Sequence, residues 1–129
     1  MSRLLRSIRL GSSAVLILLV LVVSPIRPAL AHAVLVENSI GDKPVPANTA
    51  LTVTFRFNAA LEQSFFRATL IGPGKERHAL ETMPGKDKTE EIIKLPPLAP
   101  GKYAIGYTAL AADSHLTDSL LRFTVAAPQ

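Results

Sequence analysis

The stretch Leu51 to Phe57, LTVTFRF, alternates with a period of two: Leu51, Val53, Phe55 and Phe57 share one side, Thr52, Thr54 and Arg56 the other. A helix turns every ~3.6 residues and would scatter that set, so the run is a strand with one buried face. Similar short runs follow at Ala33 to Glu37, Arg67 to Ile71, Arg77 to Glu81, Glu91 to Leu95, Tyr103 to Leu110 and Ser119 to Val125, about seven strands in all. Turn residues separate them: Gly41-Asp42-Lys43-Pro44 with Pro46, Gly72-Pro73-Gly74, Met83-Pro84-Gly85, and Pro96-Pro97 through Pro100-Gly101. Glycine and proline at such points end strands by backbone conformation and by the missing N–H. Ala59 to Phe66 fits either one helical turn or a bulged connection.

The chain has 129 residues, and its start does not belong to that pattern. Arg3, Arg6 and Arg9 precede an unbroken apolar run, Ala14 to Val23, with Pro25 and Pro28 before Ala29-Leu30-Ala31. A membrane-spanning helix needs roughly 20 apolar residues, so the run is short for a span and suited to a signal peptide cut after Ala31. Arg3 and Arg6 are not adjacent, which points to a Sec-type rather than a twin-arginine signal. The expected organisation is a cleaved signal at 1–31 and one domain at 32–129, periplasmic or secreted, with no stable membrane insertion after cleavage. That domain is long enough for its own core. The expected fold is all-β, a seven-stranded Greek-key sandwich or barrel of the cupredoxin-like or immunoglobulin-like kind.

Charge and cysteine content exclude several functions. The whole chain carries a formal +4, but Arg3, Arg6, Arg9 and Arg27 all lie in the leader, which leaves ten basic against ten acidic residues from 32 onward. No nucleic-acid surface is expected from that balance. Lys75, Arg77, Lys86 and Lys88, interleaved with Glu76, Glu81, Asp87, Glu90 and Glu91, are expected on a solvated face. With no cysteine, disulfides, thiolate metal sites and thiol catalysis are all excluded.

Cleavage after Ala31 would leave His32 as the first residue. An N-terminal histidine offers its amine as well as its imidazole and so can chelate a metal. On an extended segment Asp113 and His115, two apart, point the same way about 7 Å apart. Such a pair can converge on an ion, and it can equally be a carboxylate orienting a surface imidazole. His32, Asp113 and His115 together would supply three nitrogens and one oxygen without sulfur, a set that suits one Cu(II) ion per chain. The amine titrates near ~8, so affinity should fall with pH.

These residues resemble the CopC-type periplasmic copper-binding (copper resistance) family. The resemblance rests on Ala29-Leu30-Ala31 before His32-Ala33-Val34, on the Leu51 to Glu62 strand, on Leu95 to Tyr103 (LPPLAPGKY) and on Asp113-x-His115. It implies a cupredoxin-like Greek key, a Cu(II) site at His32, Asp113 and His115, and exchange of copper with a CopD-type inner-membrane protein. Two departures affect the loops: Leu116 and Asp118 stand where the family often has proline and glycine, and Ile40 to Pro44 replaces its usual Pro-x-x-Gly turn. His78 lacks the methionine partners of the Cu(I) site some members carry, with only Met83 in the mature chain, and both are expected to be ordinary strand or turn residues.

Other functions fit less well. A polysaccharide-cleaving copper oxygenase needs exposed aromatics, and the chain has no tryptophan, only Tyr103 and Tyr107. Serine hydrolysis lacks a Gly-x-Ser-x-Gly elbow, and Ser114, between Asp113 and His115, would point away from them on a strand. The chain is therefore expected not to be an enzyme. The alternative is a structural or adhesive sandwich without a metal role.

Overall fold

The computed structural model describes residues 32–128; the signal-peptide expectation for 1–31 lies outside them. Eight strands are present, β1 (Leu35–Asn38), β2 (Val45–Pro46), β3 (Leu51–Phe57), β4 (Arg67–Ile71), β5 (Arg77–Pro84), β6 (Glu90–Leu95), β7 (Gly101–Leu110) and β8 (Leu116–Ala126), with one 3₁₀ turn at Gln63–Phe65. They pair in the order β1-β3-β6-β5-β4-β7-β8-β2. The architecture is all-β, as the alternation predicts, and the strand beyond the expected seven is β2. Its two residues run parallel to Val125 and Ala126, at a sheet edge where Pro46 is tolerated.

One strand joins the two layers. The first part of β5, Arg77 to Leu80, pairs with β4, and its second part, Glu81 to Pro84, pairs with β6. A strand that switches partners midway turns the corner of a curled sandwich. The first layer is β1, β3, β6 and the end of β5; the second is β4, β7, β8, β2 and the start of β5. Met83 and Pro84 therefore lie in β5 rather than in a turn, because β6 supplies Ile92 and Glu91 as their partners. His78, also on β5, is exposed.

Both layers contribute to one core. Val53, Phe55 and Phe57 of β3 are buried as the period-two pattern requires, opposite Ile105, Tyr107 and Ala109 of β7. Phe55 and Tyr107 meet edge to face across the layers at 5.3 Å, and Phe57 meets Tyr107 at 5.7 Å. Each fully buried aromatic side chain of this kind stabilises the fold by about 2 to 3 kcal/mol.

Two further expectations are corrected. Asp113 and His115 are not on an extended segment: β7 ends at Leu110, β8 starts at Leu116, and residues between them form a tight turn with Ser114 at φ 74°. Glu91 is not on a solvated face; it is 1% exposed.

Candidate metal centre

Three chain segments meet at one pole of the sandwich, and the connection after β3 mounts the other two. Asn58 accepts the Val34 N–H at its Oδ1, 2.8 Å, and returns its own N–H to the Val34 carbonyl, 3.0 Å. Ala33 is completely buried beside that anchor. The backbone directly after His32 is thereby pinned at Ala33 and Val34. The same connection holds the β7–β8 turn: Glu62 N–H donates to the Leu110 carbonyl, Ala112 N–H to the Ala60 carbonyl, and Leu61 bridges Ala111.

The turn itself is a compact hairpin. Ser114 N–H donates to the Ala111 carbonyl and Ala111 N–H to the His115 carbonyl, with Ser114 in the left-handed region between them. A turn closed by a left-handed residue is the usual geometry for a three-residue hairpin loop. It folds Asp113 back onto His115, whose N–H donates to Asp113 Oδ1 at 3.2 Å. His115 Nδ1 stands 3.1 Å from the same oxygen, too poorly aligned for a hydrogen bond, and that buried nitrogen has no hydrogen-bond partner. The His115 side chain beside Asp113 is the main reason the carboxyl lies below its ordinary value of 3.8, and the His115 backbone N–H adds to it. Asp113 is thus an anion throughout the neutral range.

His32 completes the cluster. Its ring centroid lies 5.0 Å from that of His115, with the planes 81° apart. Residues 32, 113 and 115, separated by most of the domain in sequence, are brought to one pole. They touch as pairs, however: among the described residues no three His, Asp or Glu side chains are drawn into a group that could hold a metal ion as they stand. In this edge-to-face pair the edge of one ring points at the face of the other, whereas ligation needs the lone pairs of both rings aimed at one point. An orphaned, buried imidazole nitrogen beside an ionised carboxylate, with a second imidazole in contact, is a donor set that fits a borderline N/O-seeking divalent ion.

Sequence reasoning missed Asn58 as the support of this site. Its only signal was its place where the alternation of β3 stops. Asp118, adjacent to the turn in sequence, does not join the cluster; it accepts a hydrogen bond from Thr108 Oγ1 across the β7–β8 pair.

Fold and cluster define a small β-sandwich with His115 at one pole, in contact with the Asp113 carboxylate and with the His32 ring. Residues 35–126 match the CopC domain family, and the chain belongs to it. The match includes Asp113 and His115 and begins just beyond His32. CopC from Methylosinus trichosporium OB3b is 24% identical over 73% of this chain and 93% of its own, with a TM-score of 0.63. PcoC, a copper resistance protein from Escherichia coli, in selenomethionine form, is 22% identical over 72% of this chain and 99% of its own, with a TM-score of 0.60. A second PcoC structure, described as a methionine-rich copper resistance protein, is 24% identical, covers 74% and 100%, and has a TM-score of 0.58. At such identities the likeness establishes the fold. No curated protein sequence matches the chain.

Proposed function

We propose that the chain is an exported, non-catalytic Cu(II)-binding protein that sequesters or carries one copper ion outside the cytoplasmic membrane, with residues 1–31 removed as a Sec-type signal. The carrying observation is that the His32 ring meets that of His115 at 5.0 Å while His115 Nδ1 stands 3.1 Å from Asp113 Oδ1. Membership of the CopC domain family and the likeness to PcoC, a copper resistance protein, support the choice of metal. His32 would hold copper through its imidazole and, once Ala31 is cleaved away, its amine; His115 adds an imidazole and Asp113 a carboxylate. Copper is cargo here, and a donor set on a chain end and an exposed turn favours its exchange. A CopD-type membrane protein is the proposed partner in that exchange. Among the described residues no helix is long and apolar enough to cross a membrane.

The test uses the full 129-residue precursor, processed by the exporting cell, beside a precursor with one glycine inserted between Ala31 and His32. Mass spectrometry fixes the mature terminus of each. Titration with Cu(II) against a competing chelator should show one tight site in the native form, with at least about a tenfold loss when the amine moves off His32. EPR should show a tetragonal, nitrogen-rich signal that changes with the insertion. Equal, weak binding by both forms would leave a structural or adhesive sandwich as the function.

A further inference from the structure

The strand registers define the outer face of the second layer. Arg67 pairs with Thr108 and Thr108 with Asp118; Gly106 pairs with Leu120, Ala104 with Arg122, and Ile71 with Arg77. Partners in a ladder share a face, and the residues on the opposite side, such as Ile105, Tyr107 and Ala109, are buried. The outer face therefore carries Arg67, Arg77, Lys102 and Arg122 with a single acid, Asp118.

Asp118 is engaged by Thr108. Among the described residues the ion pairs are Arg56–Glu37, Lys86–Glu90, Lys94–Glu81 and His115–Asp113, so none of the four cations on this face has a carboxylate partner. The domain as a whole has ten basic and ten acidic residues, so this face is a cationic patch on a chain that is otherwise net acidic. Leu116 and Leu120, 60% and 46% exposed, stand among those cations. Gly106 keeps the centre of the face low; an added Cβ would come within 3.3 Å of a Leu120 methyl. Arg67 and Arg77 border one shallow depression and Lys102 and Arg122 another.

We propose that this face docks on an anionic phospholipid surface, with Leu116 and Leu120 entering the headgroup layer and the four cations meeting lipid phosphates. Guanidinium forks without a carboxylate partner match phosphate oxygens, though Arg67 also donates from Nη1 to the Ser64 and Phe66 carbonyls, and a fluid headgroup layer accepts shallow relief without a shaped partner. Aliphatic tips within a basic field are the pattern of reversible interfacial binding rather than insertion. Leu116 directly follows His115, so docking would set the histidine pole at the edge of the contact.

Processed protein from the full chain is sedimented with vesicles of phosphatidylglycerol or of phosphatidylcholine, at low and near-physiological salt. Three versions are compared: wild type; Arg77→Glu with Lys102→Glu and Arg122→Glu; and, with the same charge change elsewhere, Lys75→Glu with Lys86→Glu and Lys88→Glu. Wild type and the second triple variant should bind phosphatidylglycerol alone, weakening with salt, and the outer-face triple should lose at least about tenfold. Equal loss in both variants would reduce the effect to net charge and overturn the proposal. Failure of wild type to bind at low salt would also overturn it, as would retention on an immobilised acidic polypeptide but not on vesicles, which would assign the face to an acidic protein. Cu(II) titration of the outer-face triple should be unchanged, so this result and that for the metal centre stand separately.

Discussion

Glu91 shares the core side of β6 with Ile93 and Leu95, and its Oε1 is buried without a hydrogen-bond partner. Burial pushes its pKa up from 4.5 to about 7, with the Gln63 side chain opposing the shift. The folded state therefore holds the proton more tightly than the unfolded state. Glu91's contribution is most favourable below 4.5, is lost as pH rises toward 7, and is flat above that, by a total on the order of 3 kcal/mol. Glu91→Gln should consequently raise stability at pH 8 by about that amount and leave it nearly unchanged at pH 4.5. Urea unfolding at the two pH values checks this, and an equal effect at both would show that folding does not raise the Glu91 pKa. The sequence concealed this residue because Glu90-Glu91 sits in a run of charges that reads as solvated, and only the register opposite Phe55 turns the second acid inward. His32, Asp113 and His115 were legible as donor types, whereas the imidazole–carboxylate contact depends on a turn that short-range alternation does not encode.

Elements built on strict alternation were the most legible, as β3 shows: its bounds match the expected run and its apolar side is the core. Those set by partners were less so, since β5 extends to Pro84 only because β6 offers it a ladder. The β7–β8 turn is not legible in the sequence because neither glycine nor asparagine marks its left-handed position; Ser114 occupies it at φ 74°. That choice gives a prediction. Ser114→Gly should keep the turn and change stability by under about 1 kcal/mol, since relief of the left-handed strain and added chain entropy oppose each other. Ser114→Val places a β-branched side chain where it is least tolerated and should cost about 1 to 3 kcal/mol. Because Asp113 and His115 flank the position, the valine variant should also lose Cu(II) affinity while the glycine variant keeps it. Thermal melts and chelator competition on the pair separate the two effects, and equal copper affinity in both would mean the turn does not set the ligands.

At the scale of the molecule, the candidate site spans the joint between the layers. His32 precedes β1 in the first layer, Asp113 and His115 belong to the β7–β8 turn of the second, and the residue 58–62 connection is bonded to both. The remaining strand link between layers is the mid-strand change of partner in β5. A metal held by His32 and His115 would therefore act as a second clasp, binding only the state in which the layers are closed. A ligand at a hundred times its Kd stabilises the native state by about 2.7 kcal/mol, which for a domain near 100 residues is roughly 10 °C or more in Tm. Copper should produce a rise of that order in the processed protein. Asn58→Ala removes the side-chain acceptor for Val34 N–H but leaves the Asn58 N–H bond to the Val34 carbonyl, so the apo protein should lose only about 1 kcal/mol. Since that acceptor positions the segment bearing His32, most of the copper-induced rise should vanish with it. Calorimetry of both proteins with and without Cu(II) decides the point: a full copper shift in the variant would show that His32 reaches the metal without the Asn58 anchor, and no shift in the wild type would remove the clasp altogether.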